Sequence, residues 1–110
     1  MAYDERLAAR VRDLLPGAAE RPVFGGLGFL LPGGHMAVCV SGPRDGLLVR
    51  VLAADGAALR EQEGVTAMEM SGRASRTWVV VAPARLVGDA DLEAWVRRGE
   101  AVAASLPPKG

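Results

Sequence analysis

One stretch limits what this chain can become more than any other: Phe24 to Ser41, FGGLGFLLPGGHMAVCVS, its longest continuous apolar segment. Two strand-like runs, Phe24 to Leu31 and His35 to Ser41, flank Pro32-Gly33-Gly34. A short Gly-containing connection between such runs joins antiparallel neighbours, so the stretch predicts a β-hairpin. Alternation places Leu27, Phe29 and Leu31 on one face of the first strand, with Phe24, Gly26, Gly28 and Leu30 on the other. In the second strand Met36, Val38 and Val40 oppose His35, Ala37 and Cys39. Glycine inside a strand marks a bulge or the close approach of another element, so a helix is expected over the glycine face.

Elements on either side of the hairpin follow from periodicity. Tyr3, Leu7, Val11, Leu14 and Leu15 form one stripe of an amphipathic helix, which Pro16-Gly17 terminates. After a turn at Gly42 to Gly46, Leu47 to Leu52 reads as a third strand in which Arg50 alone interrupts the apolar run. Asp55 to Glu63 predicts a short helix stopped by Gly64. Val65 to Met70 and Thr77 to Ala82 predict two further strands joined by a loop, Ser71 to Arg76. Gly88 and Asp89 are expected to cap a last helix, Asp89 by accepting backbone N–H bonds, and Leu92, Trp95, Val96, Val102, Ala103 and Leu106 trace its apolar face. Glu93 and Arg97 form an i,i+4 pair on its solvent side. The order α-β-β-β-α-β-β-α makes an α+β domain over residues 1–106, with about five mainly antiparallel strands and helices packed on the sheet. Residues 107–110 are expected to be a frayed tail.

A chain of 110 residues buries roughly two thirds of the surface its unfolded form exposes, so one domain folds without metal or disulfide. Thirteen basic residues balance thirteen acidic ones, which argues against a free-standing nucleic-acid binder, whose affinity rests on excess Lys and Arg. The lone Cys39 excludes an intramolecular disulfide and suits a reducing compartment. The charged start of the chain offers no signal-peptide core, and no apolar run approaches the roughly 20 residues that span a bilayer. A cytoplasmic location is expected.

Candidate chemistry is sparse. His35 and Cys39 share a strand face, but four strand residues span about 13 Å, too far for a nucleophile and its base. Gly25-Gly26-Leu27-Gly28 lacks the Gly-Lys-Ser/Thr and the strand-to-helix context of a phosphate loop. Asp89, Asp91 and Glu93 read as helix-end carboxylates, with no nearby His to complete a metal site. No catalytic residue, cofactor or metal is therefore expected. Arg73 and Arg76, with Trp78 just after them, are the most prominent candidates for binding a partner, because arginine beside an aromatic is enriched at interfaces; the alternative is a solvated turn with Trp78 packed into the core.

The phrases MAYDERLAARVRDLL, RPVFGGLGFLL, VSGPRDGLLVRV, MEMSGRASRTWVVV and LEAWVRRGEAVAASLPPK together resemble the N-terminal domain family of TfoX/Sxy proteins, bacterial regulators associated with natural competence. Val23 stands where that family more often has Met, and Ser75-Arg76-Thr77 departs from its usual residues before the Trp. The resemblance implies an α+β fold of the secretion-chaperone-like type and regulation through protein contacts, with another protein or a second copy as partner. The rival expectation is a ligand-binding or enzymatic domain with a pocket between sheet and helices, rimmed by Arg50, Arg73, Arg76 or Cys39. Direct DNA binding ranks behind both.

Overall fold

A computed structural model describes residues 3–23, 25–42 and 46–109. The first helix, α1 (Glu5–Leu14), starts where Asp4 accepts the backbone N–H groups of Arg6 and Leu7, and it buries Leu7, Ala8 and Val11. Six strands follow: β1 (Ala19–Val23), β2 (Gly26–Leu30), β3 (Met36–Val40), β4 (Leu47–Arg50), β5 (Val65–Met70) and β6 (Arg73–Val81). The helix α2 (Ala53–Arg60) connects β4 to β5, and a 3-10 turn at Pro83–Arg85 leads into α3 (Asp89–Ser105). The strands form one fully antiparallel sheet in the order β1-β2-β3-β4-β6-β5. The expected α+β class therefore holds, with one strand more than expected.

The extra strand is β1, AERPV, four of whose five residues are exposed. It carries no apolar alternation, and it tolerates Pro22 because an edge strand needs only half of its backbone groups paired. The β2–β3 hairpin forms as expected. Phe24 and the turn residues Pro43 to Asp45 lie outside the described residues.

All three helices pack on one face of the sheet. Leu27 and Phe29 of β2, Val38 and Val40 of β3, Leu47 and Val49 of β4, and Val79 and Val81 of β6 meet Val11, Leu59, Leu92 and Val96 of the helices in one core. Full burial of such aliphatic side chains contributes about 1.5–3 kcal/mol each. The helix α3 crosses the middle of the sheet over β3 and β4, and its Gly99 touches the Ala37 carbonyl.

Four expectations about the sheet and α3 are corrected. The helices do not cover Gly26 and Gly28; Gly26 makes room for the β3 backbone and Gly28 for the Met36 thioether and Val23. Met36 does not share the face of Val38 and Val40. Phe29 pairs with Val38 but Leu30 pairs with Met36, so Ala37 is an extra residue in β3 and turns Met36 to the side of Cys39. The expected loop Ser71 to Arg76 is a two-residue turn at Ser71-Gly72, whose φ values of 52° and 78° suit a tight hairpin. Arg73 and Arg76 consequently lie in β6. Of the two expected caps, Gly88 does occupy the N-cap of α3, without a side-chain bond, whereas Asp89 does not cap it and pairs with Arg10 at 3.1 Å. The pair of Glu93 with Arg97 forms at 3.3 Å.

Residues 107–109, expected to fray, run back across the hairpin turn. Lys109 N–H donates to the Gly33 carbonyl at 2.9 Å, and His35 Nε2 bonds the Pro107 carbonyl at 2.6 Å.

A Cβ on Gly99 would run into the Ala37 carbonyl oxygen, whereas the space around Gly17 is open. Gly99→Ala gains about 1 kcal/mol of helix propensity but forces α3 off the sheet at a cost of about 1–3 kcal/mol. Urea unfolding is expected to show a net loss of about 1 kcal/mol for Gly99→Ala, and a change between zero and about 1 kcal/mol of gain for Gly17→Ala.

Candidate functional site

The face of the sheet away from the helices carries a second, smaller core. Cys39, Leu48, Met68 and Val80 are buried there, with Val23, Met36 and Trp78 packed partly over them. Six antiparallel strands with helices on one side leave this face to be covered by its own side chains. Coverage is incomplete. A hollow of about 530 Å³ lies over the cluster, lined from both edge strands, by Arg21 to Val23 of β1 and by Met68 and Met70 of β5. Its volume falls within the ~300–1,000 Å³ of small-molecule sites. The space between sheet and helices, where the rival expectation put a pocket, is filled by the main core.

Arg50 and Trp78 form the centre of the site. They are direct partners across β4 and β6, and the guanidinium carbon of Arg50 sits 4.7 Å from the centroid of the Trp78 ring. A cation over an aromatic face gains about 0.5–2 kcal/mol, more as water is removed. Arg50 Nε donates to the Met36 carbonyl at 2.7 Å. That bond fixes the plane of the guanidinium, and the ladder bulge at Ala37 is what brings the Met36 carbonyl to it. Burial lowers the pKa of Arg50 from its ordinary value. At any physiological pH the group stays charged, because arginine starts so high.

Arg21 and Lys109 add two more positive groups to the lining, and no Asp or Glu lines the hollow among the described residues. Lys109 arrives there because the C-terminal segment is pinned to Gly33. The methionines Met36, Met68 and Met70 supply an apolar lining that can repack, since the thioether chain has three rotatable bonds.

The sequence-predicted site residues separate. Trp78 lies in a strand as expected but is half-buried in the hollow and not in the helix-covered core. Arg73 and Arg76 are exposed on β6, outside the lining of the hollow, and form no ion pair with the described residues. From Ser75 onward the strand is irregular: the pairing jumps from Ala67 with Val79 to Glu69 with Ala74, so Ser75 to Trp78, Arg76 among them, bulge against β5. The Ser75 carbonyl accepts from Arg60, and the Arg76 backbone lies against Gly56, tying the bulge to α2.

Cys39 is buried at the floor, where burial pushes its thiol up to about 11. His35 bonds the Pro107 carbonyl instead. No group of three or more His, Cys, Asp or Glu among the described residues is placed to hold a metal ion, and no helix among them is long and apolar enough to cross a membrane.

The family model of the TfoX N-terminal domain matches residues 10–103. The chain belongs to that family. Comparisons with curated proteins and with solved structures give no match. The TfoX N-terminal domain match runs from the middle of α1 almost to the end of α3, and it includes every strand that lines the hollow. Lys109 lies beyond it.

The arginine at the centre had a visible signal, a single charge inside the run LLVRVL. Its companions did not. Arg21 lies in a strand without alternation, Lys109 in the tail, and Met36 faces the hollow only because of the bulge.

Cys39 holds its proton in the folded chain above the ordinary thiol value of 9.0. A raised folded pKa contributes stability that is complete below pH 9 and is lost as pH rises towards 11. Thermal unfolding should show stability falling across that window, with the slope reduced in Cys39→Ala. A thiol reagent at pH 8 should label the native chain at least tenfold more slowly than the urea-unfolded chain.

Proposed function

We propose that this TfoX N-terminal domain is a cytosolic regulatory module that works by contacting another protein and not by catalysis. Support comes first from the family, since a TfoX N-terminal domain fits a competence-regulator-like module. The observation that carries the contact reading is the far end of the β5–β6 ribbon. Arg73 and Arg76 stand exposed there without acidic partners among the described residues, and the apolar Met70, paired across the turn with Arg73, is 49% exposed. Two unpaired arginines with an exposed apolar side chain make a surface complementary to an acidic patch bearing an apolar contact. A tight turn and the anchoring of the Ser75 bulge to α2 hold that surface rigid, which lowers the entropic cost of docking.

A neutral net charge supports a protein partner over nucleic acid. The buried, proton-holding thiol of Cys39 supports the absence of nucleophilic catalysis at the only cysteine.

A photo-cross-linking amino acid in place of Arg76, with Ala104 on the solvent side of α3 as control, checks the reading in a lysate of the source organism. A discrete adduct is expected at position 76 and not at 104, and Arg73→Glu should reduce it at least fivefold. Equal adduct patterns from both positions, or an adduct at 76 indifferent to Arg73→Glu, overturn the proposed surface. Scattering-coupled chromatography on the purified chain then tells a second copy from a different protein as the adduct's partner.

A further inference from the structure

The geometry points to the hollow on the helix-free face as a binding site for a small amphipathic carboxylate, its carboxylate held by Arg50 and its apolar part laid over Trp78 and the methionines. The inference rests on Arg50 and Trp78 and not on Arg73 and Arg76, which lie outside the hollow; Met70 borders both surfaces.

The anion requirement comes from Arg50. Its Nε is committed to the Met36 carbonyl and one face of its guanidinium to the Trp78 ring. The two terminal nitrogens, Nη1 and Nη2, make no hydrogen bond to the described residues, and no carboxylate among those residues offsets the charge. A guanidinium that is partly desolvated, fixed in its plane and left with its double-donor edge vacant is arranged for a bidentate oxyanion. The lowered pKa agrees with a charge that lacks compensation. Arg21 and Lys109 extend the positive field across the mouth.

The choice of carboxylate over phosphate comes from the surroundings. Trp78, Met36, Met68 and Met70 give the hollow an apolar lining, so an occupant must bury hydrocarbon as well as charge. A dianionic phosphate carries more hydration into the same place and offers nothing to the methionines. A small molecule is favoured over a folded partner surface because the space of about 530 Å³ falls within the range of small-molecule sites. Methionine lining suits occupants of varied shape, so selectivity is expected for the class and not for one chain length.

Isothermal titration of the full chain with octanoate, below its micelle concentration, tests the site, with emission of Trp78 read in a Trp95→Phe background. Saturable binding is expected at one octanoate per chain, with a change in Trp78 emission. Methyl octanoate, which keeps the hydrocarbon and loses the charge, should bind at least tenfold more weakly, and inorganic phosphate should neither bind nor compete. Arg50→Gln should weaken octanoate at least tenfold and leave the ester unchanged. Equal affinity for acid and ester overturns the inference on the unaltered chain, whether or not a variant folds. Competition by phosphate, or octanoate binding that leaves Trp78 emission unmoved, overturns it as well. Binding of an acidic apolar peptide in place of octanoate would assign the hollow to a protein segment and would also overturn it.

Discussion

The architecture depends on how closely α3 approaches the backbone of β3. Gly99 stands against the Ala37 carbonyl, and at that distance Leu92 and Val96 reach the valines of β3, β4 and β6 that fill the main core. Any side chain at that position would lift the helix from the sheet and open space beneath residues that now have none. Burial of those residues is the largest stabilising term in a chain whose single cysteine is free and whose described residues hold no metal-binding group. The same contact has a consequence on the opposite face. Ala37 is the bulged residue of β3, so the point where the helix presses on the sheet is also where the strand changes its facing and sends Met36 away from the helices.

From that bulge the second face is organised. Met36 covers Gly28, its carbonyl receives Arg50 Nε, and Arg50 is thereby set over Trp78. A straight β3 would put Met36 among the core valines and leave Arg50 without its fixed acceptor. The two faces of the sheet therefore differ in kind. One is aliphatic, closed and covered by helices; the other is rich in methionine, cationic and only partly covered. The hollow on the second face is lined by three basic residues and, among the described residues, no acidic one, although the chain as a whole is neutral.

Local physics made much of this legible in advance. Pro16 ends α1 because a breaker acts within a few residues, and β5 spans Val65–Met70 directly after Gly64, as expected. Where a reading depended on contacts distant in sequence it failed. β1 is polar and becomes a strand only by pairing with β2. Asp89 has the composition of a cap, yet Arg10, 79 residues away, takes its carboxylate. The tail is bound because the Gly33-Gly34 turn offers a carbonyl and room for Pro108 and Lys109, a complementarity invisible in either segment alone.

By itself the sequence determined the α+β class, the central hairpin and the family, since these follow from periodicity, turn residues and short sequence phrases, all of which are local. Tertiary structure alone decided that β6 and not β5 lies beside β4, that all three helices share one face, and that Arg50, Trp78, Arg21 and Lys109 surround one hollow. The reason is physical. Strand order and facing are set by which distant surfaces bury best together and by where a single extra residue enters a ladder, and a one-residue shift exchanges every inward side chain for an outward one.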